Sequence, residues 1–405
     1  VLAIISAPGS RGDVNPMIAI GRQLRSDGFD VLISLAEPYA PLADAAGLTP
    51  VVVIGKEEFD TALASPKIWT PVGGARAVIR LLVKRFLRPH FQLIQQHHRP
   101  GQTVLVSHPL DLSSRIYRDL DVSTPLIDVH LAPTVLRMPA SPTRITPWSL
   151  EPRRPAWLIK TAHWFADRLI LDPLTAGPVN QLRAEYSLPP VKRVFHQWWL
   201  SPDKIIAMYP KWFAPETEVF SPRLVHAGFP LADLDQSSAE VSVQGRPFVF
   251  TAGTANHHCR AFFQRAADAC VQLNHPGLLL STFADNFPQH LPSLVRTESY
   301  LSLAAVLPQA AAIVHHGGIG TTSQALAAGT PQLIRPMAFD QFDNASRVMR
   351  LGCGTWLRND NNLAASLQQI LDGVFHDGCK QAAGRFTTAS AVQFAAREVK
   401  SLLPL

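Results

Sequence analysis

AAIVHHGGIGTTSQALAAGTPQLIRPMAFDQFDNASRV, residues Ala311 to Val348, decides how the chain is read. Ala311–Val314 is an apolar run of strand length, stopped by His315-His316-Gly317-Gly318. Gly320 to Ala328 has threonines near its entry and Gly329 after its end, the pattern of a helix with a polar start and a C′ glycine. Pro331 to Pro336 is a second apolar run, followed by Asp340-Gln341 and a helical pattern from Asn344. A strand, a glycine turn and a helix N-terminus make an anion site, because the first N–H groups of a helix lack partners and point outward. Glycines let a phosphate approach the backbone, His316 adds a donor, and the next loop supplies a carboxylate and an amide. That equipment suits a sugar joined to a diphosphate.

The same alternation of strand and helix extends in both directions. Residues 1–6 read as a buried parallel strand and Pro16 to Ser26 as the helix after it. Residues 31–35, 51–54, 104–106 and 126–127 continue the strands, with Ile205–Met208 expected as the last of the first half. After the polar stretch 236–246, Pro247–Phe250 opens a second series, with a Gly/Thr turn at 251–254. A helix over 262–273, a strand over 277–280 and a helix over 301–307 lead to the opening stretch, and 389–403 reads as one final helix. Such alternation defines an α/β doubly wound fold. Single cores stop growing near ~250–300 residues, so a chain of 405 residues is expected to form two Rossmann-like domains. A dinucleotide site is disfavoured: Pro8-Gly9-Ser10-Arg11-Gly12-Asp13 lacks one glycine of GxGxxG, although Glu37 lies near the position of a ribose-binding acid.

Composition narrows the function further. The net charge of +6 is mild and no long Lys/Arg tail is present, so a phosphorylated ligand or an anionic membrane surface fits and no nucleic-acid partner is expected. Cys259, Cys270, Cys353 and Cys379 form no CxxC pair, which predicts free thiols in a reducing compartment and neither a zinc site nor a disulfide framework. Val1–Ile5 is too short and lacks the basic flank of a signal peptide, and no run of about 18 apolar residues exists. A cytoplasmic protein is expected, with peripheral contact at the inner face of the membrane as a further option.

HHGGIGTT followed by PMAFDQFDNA resembles the donor-binding signature of the family 1 glycosyltransferases, inverting enzymes of the GT-B architecture that use nucleotide-diphosphate sugars. Gly9-Ser10-Arg11-Gly12-Asp13-Val14-Asn15-Pro16 is similar to the family's N-terminal acceptor-side loop. Between Val191 and Asp233, VKRVFHQWWLSPDKI, YPKWFAPE and HAGFPLAD resemble the rhamnosyltransferases of bacterial rhamnolipid synthesis, with bacterial sterol and natural-product glucosyltransferases as the wider group. The resemblance implies two Rossmann-like domains facing each other across a cleft. It places an acceptor domain over 1–220, a nucleotide-sugar domain over 221–388 (linker 221–246), and a last helix, 389–405, that crosses back onto the first domain.

Residue by residue, the resemblance assigns the donor diphosphate to His316, Gly318, Gly320 and Thr321, with Gly253 and Thr254 lining the same site. Positioned donors at a helix N-terminus stabilise the charge that grows on a departing diphosphate. Asp340 and Gln341 are assigned to the hexose, since carboxylate and amide groups hold hydroxyls in a fixed plane; the competing reading of Asp340 is a helix cap. Gln324 stands where plant members carry a ribose-binding glutamate, and Tyr300 is a candidate to stack on the base. An inverting transferase needs a base beside the acceptor hydroxyl. Plant members use a histidine in the loop after the first strand; this loop has none, and Asp13 is its only acceptor of suitable type, with Ser10, Arg11 and Gly12 around it. A structural role for Asp13, capping the following helix or pairing with Arg11, competes with that reading. His315 stays divided between site and core, and His108, His130 and His163 are read as structural.

Pro-rich segments at 133–155 and 210–230 mark surface connections, the first expected to form part of the acceptor pocket. Trp164, Phe195, Trp198, Trp199 and Trp212 are read as core in the main, with a pocket wall as the alternative. Over 76–98, Arg76, Arg80, Lys84 and Arg88 share one face at about 100° per residue while Leu81, Leu82 and Phe86 cover another. That pattern fits an ordinary surface helix or one touching anionic lipid, and Pro89 should kink or end it.

The resulting expectation is an inverting glycosyltransferase moving a hexose from dTDP-rhamnose or UDP-glucose to a hydroxyl of a lipophilic acceptor, such as a hydroxy fatty acid, sterol or other natural product. No cofactor or metal is expected, since no DxD-like motif is placed for Mg²⁺. Two alternatives stay open: a nucleotide-sugar 2-epimerase of the same fold, and a non-catalytic nucleotide-sugar-binding protein.

Overall fold

The computed structural model of the chain describes residues 1–137, 144, 146–147, 155–196, 198–215, 222–231 and 245–403. Two compact units emerge, one comprising Val1–Arg144, Trp148–Ala232 and Ala389–Leu405, the other Ile145–Pro147 and Asp233–Thr388. Each is built on one parallel sheet with helices between its strands, the two-Rossmann arrangement of the GT-B fold.

In the first unit the strands are β1 (Leu2–Ala7), β2 (Asp30–Ala36), β3 (Thr49–Ile54), β4 (Thr103–Ser107), β5 (Leu126–His130), β6 (Lys204–Ala207) and β7 (Leu224–His226), in the spatial order β3-β2-β1-β4-β5-β6-β7. All neighbours run parallel. Every residue of β1, β4 and β5 is buried, as expected for strands covered on both faces. The order turns back on itself between β1 and β4, which pair in the register Leu2↔Thr103 to Ile5↔Val106. Ligands of open α/β sheets bind beyond the carboxyl ends of strands at such a switch point.

The second unit repeats the plan. Its strands are β8 (Phe248–Thr251), β9 (Gly277–Leu280), β10 (Val295–Glu298), β11 (Ala312–His315), β12 (Gln332–Ile334) and β13 (Gly354–Trp356), in the order β10-β9-β8-β11-β12-β13 and all parallel. Alternate residues feed two cores: Phe248, Phe250, Ala312 and Val314 go to one face, Val249, Leu278 and Ile313 to the other. Here the switch point lies between β8 and β11.

The last helix, Ala391–Lys400, belongs to the first unit. Ala391, Ala395, Ala396 and Val399 are buried, and the helix packs against Arg11–Ser26. Lys400 pairs with Asp27 at 3.1 Å and Lys204 with Glu398 at 2.6 Å. All four cysteines are free and buried.

Several expectations need correction. Ile205–Met208 does not end the first sheet, because β7 pairs with β6, and the first unit therefore runs past residue 220. Strands β10 and β13 were not expected; Arg296 and Thr297 break the apolar run of the former, and the latter spans only Gly354–Trp356. The helix expected over 301–307 is a single turn, Leu303–Val306, followed by a 3-10 turn at Leu307–Gln309. Residues 232–244 and most of 138–154 lie outside the described residues, so the expected linker and most of the Pro133–Pro155 segment do too.

Proline acts differently at 76–98 from the expected break. Helix Pro71–Leu81 passes into a π-helical turn, Leu82–Phe86, and resumes as Leu87–His97 with Pro89 inside it. The ring of Pro89 crowds the carbonyl four residues earlier, that of Arg85, and the wider turn accommodates it. A second π turn, Asp167–Leu171, precedes Pro173 in the same relation. Leu82 and Phe86 enter a core cluster with Ala36, Ile54 and Phe59, and Arg85 and Arg88 pair with Glu58 and Glu185. The apolar side of this segment is committed to the fold.

Candidate active site

The β8–β11 switch point brings the expected phosphate groups together. Gly253, at φ +84°, turns the chain after β8, and Gly317, at φ +94°, turns it after β11. Between them sits the imidazole of His316. A Cβ on Gly253 would lie 2.7 Å from its Cε1, and one on Gly318 2.6 Å from its Nε2, so both positions need glycine to let the ring in. Burial pushes the His316 pKa down to about 4, which keeps it neutral at pH 7 with one N–H to donate; Nδ1 is buried and unpartnered. Helix Ile319–Ala328 starts there, with extended Gly318 as its N-cap and no capping side chain. Its first N–H groups have no carbonyl within the helix to meet, and a Cβ on Gly320 would meet nothing within 4 Å. Thr321 is half-buried beside it. The result is a group of donors with open space at Gly320, the chemistry that suits an anion.

His315 is resolved as structural. Its Nδ1 accepts the Gly317 N–H at 3.2 Å, so Nε2 carries the proton and donates to Gln332 Oε1 at 3.0 Å. Burial takes its pKa down to about 3. Its ring fixes the turn that presents His316.

Asp340 stands at the N-cap position of helix Gln341–Arg350 but makes no side-chain cap. Its Oδ2 instead accepts from Asn344 Nδ2 at 2.7 Å, and that amide also donates to the Gly317 carbonyl at 2.8 Å. The carboxylate is thereby tied to the phosphate turn. Gln341 departs from expectation: its Oε1 accepts the N–H groups of Met337 and Ala338 at 2.8 and 3.1 Å, and the residue is buried. It shapes the loop that carries Asp340. Gln324 lies one turn into helix Ile319–Ala328 with Oε1 buried and unpartnered. Tyr300 follows β10, the edge strand, two strands away from the switch point.

At the β1–β4 switch point the chemistry reverses. Helix Arg11–Ser26 begins straight after β1, with Ser10 as N-cap and Asp13 at its third position. Asp13 Oδ2 accepts the Ser10 N–H at 2.8 Å and the Ser10 hydroxyl at 3.1 Å, so the capping role does exist. A Cβ on Gly9 would fall 2.2 Å from the same oxygen, and glycine is required there. The other oxygen, Oδ1, faces His108 Nε2 at 3.5 Å. His108 follows β4; its N–H donates to Ser6 Oγ at 2.8 Å, and its Nδ1 accepts the Leu110 N–H at 3.2 Å. That bond leaves Nε2 as the nitrogen whose proton is aimed at Asp13. Loss of water alone would raise the Asp13 pKa, but the His108 hydrogen bond and charge, with those from Ser10, outweigh it and hold the carboxyl below its ordinary value.

In the sequence His108 is a lone histidine, and its place 95 positions from Asp13 (108 − 13 = 95) gives no hint of the pair. The available signal was topological: His108 ends the strand that neighbours β1. His130 ends β5, buried with both ring nitrogens unpartnered and its pKa pushed down to about 3 by burial and by His108. Trp199 packs on it at 5.7 Å and is buried, as is Phe195. Trp198 is structural, donating to Asp119 at 2.8 Å between Arg115 and Arg183. Trp164 is exposed and Trp212 half-buried.

Comparison with known proteins bears on the fold that carries both switch points. Residues 268–403 match the family described as erythromycin biosynthesis protein CIII-like, C-terminal domain. The O-mycaminosyltylonolide 6-deoxyallosyltransferase of Streptomyces fradiae is 25% identical over 366 residues, covering 85% of this chain and 82% of that protein. Among solved structures, the glycotransferase of kitacinnamycin superposes with a TM-score of 0.75 at 17% identity, covering 100% of this chain and 99% of that one. A spinosyn rhamnosyltransferase solved with thymidine diphosphate does so at 0.68 and 15% identity, covering 98% and 99%. Fold and relatives mark a glycosyltransferase of the GT-B class. Within that class, its 268–403 stretch is of the erythromycin CIII-like kind.

Proposed function

We propose that this enzyme inverts configuration as it transfers a hexose from a nucleotide-diphosphate sugar to a hydroxyl of a lipophilic natural product, with Asp13 as base. The observation that carries the reading is the Asp13–His108 pair beyond β1 and β4. An alcohol attacks an anomeric carbon well only if its proton leaves as the bond forms. Asp13 Oδ1 takes that proton. His108 serves as a positioning residue: its Nδ1 is held by the Leu110 N–H, so its Nε2–H keeps Asp13 ionised and aimed. The diphosphate leaves toward His316 and the start of helix Ile319–Ala328, whose donors meet the growing charge. Those donors do what a divalent cation does elsewhere, and we read the reaction as needing no resident metal. Asp340 reads the sugar, and Gln324 a ribose or deoxyribose hydroxyl.

For the donor we favour a dTDP-deoxyhexose, rhamnose among them, over UDP-glucose. Gln324 in place of a ribose-binding acid supports this, as does the fold shared with a rhamnosyltransferase solved with thymidine diphosphate. Among the described residues no helix is long and apolar enough to cross a membrane. Free buried thiols support a reducing compartment such as the cytoplasm. Exposed Arg76, Arg80 and Lys84 offer an electrostatic contact to anionic lipid without an inserting face. A thermal-shift panel of dTDP- and UDP-sugars tests the donor, because a ligand that binds only the folded state raises the midpoint with occupancy. A midpoint raised by UDP-glucose alone would reverse the preference, and no shift with any nucleotide sugar would reject the reading.

A further inference from the structure

Residues 156–171 form a helix and π turn whose apolar side faces outward. Trp157 is 67% exposed, Trp164 44%, Phe165 51% and Leu169 66%. Only Ile159 and Asp167 are buried among the described side chains of this stretch. At about 100° per residue Trp157 and Trp164 fall in line, with Phe165 and Leu169 continuing the face to one side. Folded proteins seldom leave a contiguous aromatic face in water without a use for it.

The charges on this stretch have one sign. Lys160 and Arg168 are exposed, while the single acid, Asp167, is buried and bound by Arg137 at 2.9 Å and by Arg193 at 3.3 Å. Tryptophan and leucine flanked by lysine and arginine, without exposed acids, is the make-up of a helix lying in a lipid interface, where aromatic rings sit among headgroups and cationic tips reach phosphates. The helix Asp172–Glu185 runs on from this π turn, and Pro71–Leu81 and Leu82–Phe86, which carry Arg76, Arg80 and Lys84, pack against it. A second copy of the chain is a poor occupant, since pairing this face with itself would gather the cations of both copies with no exposed acid of the stretch to meet them.

We propose that residues 156–171 dock the protein on an anionic lipid surface. Trp157, Trp164, Phe165 and Leu169 enter the boundary between headgroups and acyl chains, and Lys160 and Arg168 meet lipid phosphates. This assignment stands apart from the glycosyltransfer reading, because it uses none of the switch-point residues.

The test is co-sedimentation of the full chain with phosphatidylcholine vesicles, with and without phosphatidylglycerol, in low salt. Wild type should sediment with the anionic vesicles and release as salt is raised. Replacing Trp157, Phe165 and Leu169 together by Ser should cut binding about ten-fold or more, since each loses buried apolar area. Lys160→Gln with Arg168→Gln should weaken binding and remove the preference for phosphatidylglycerol. All these side chains are exposed, so thermal midpoints should stay near wild type; if the triple variant unfolds early, Trp157→Ser and Phe165→Ser singly give the same reading. Equal sedimentation of the serine variant and wild type would overturn the proposal. So would equal binding to both vesicle types, or no binding together with self-association that the serine variant abolishes.

Discussion

The two switch points share a topology and differ in charge. Beyond β1 and β4 stand a carboxylate and an imidazole, Asp13 and His108, 3.5 Å apart with the ring's proton directed at the acid. Beyond β8 and β11 stand an imidazole and backbone, His316 between Gly253 and Gly318, with no carboxylate in the turn itself. In the reading proposed above, the first accepts a proton and the second receives an anion. Parallel sheets thus fix where ligands go, and a handful of residue types fixes which ligand goes to which sheet.

The sharpest way to break this contrast is to remove the proton acceptor. Asp13→Asn should lower kcat by about 10²–10⁴-fold, the usual contribution of a positioned base. The amide still offers Ser10 one oxygen, so thermal stability should fall by no more than about 1 kcal/mol, the scale of a helix cap. Near-normal turnover in a steady-state assay would reject the assignment. On the other side, His316→Ala removes one charge-assisted hydrogen bond of about 1.5–3 kcal/mol, and donor affinity should drop by roughly ten-fold or more. Gly253→Ala should do similar damage without touching a polar atom, by forcing the ring out and straining a positive φ.

A smaller effect separates the partners of the first pair. His108 helps to hold the Asp13 pKa down. His108→Ala should therefore shift the acid limb of the kcat/KM profile toward higher pH, and His108→Gln, which keeps a donor, should restore part of the shift. A profile that does not move in His108→Ala would reduce His108 to packing.

An effect of another kind, on stability and not on turnover or affinity, concerns the frame behind the first switch point. Asp128 on β5 is buried, and burial, aided by nearby Asp111 and opposed by the Ser201 N–H, pushes its pKa up to about 8. A carboxyl whose folded pKa exceeds its unfolded value stabilises the fold below the unfolded pKa and loses that contribution as pH rises through the folded one. Stability should decline between about pH 4 and pH 8 by up to about 1.4 kcal/mol per unit from this group. Denaturant midpoints of Asp128→Asn should show a flatter decline, and an unchanged slope would contradict the protonated state.

Much of this was legible in the chain. HHGGIGTT announced a strand, a glycine turn and a helix start through local chemistry alone, and the structure sets Gly253 and Gly318 against the His316 ring at the start of that helix. What stayed hidden depended on distance in space. His108 reaches Asp13 only because β4 lies beside β1, and no spacing along the chain encodes that neighbour. The bonds of Gln341 Oε1 to its own loop were not legible, because an amide beside an aspartate looks the same whether or not it holds nearby N–H groups. Strand β7 was missed because three residues of β-pattern, Leu224–His226, carry too little periodicity to be told from a loop.

One measurement tests the division of labour directly: calorimetric titration of thymidine diphosphate into wild type, Asp13→Asn and His316→Ala under one condition. The division predicts that Asp13→Asn binds like wild type while His316→Ala binds about ten-fold or more weakly, the loss of at least one charge-assisted hydrogen bond. Wild-type affinity in His316→Ala, or a comparable loss in Asp13→Asn, would contradict it.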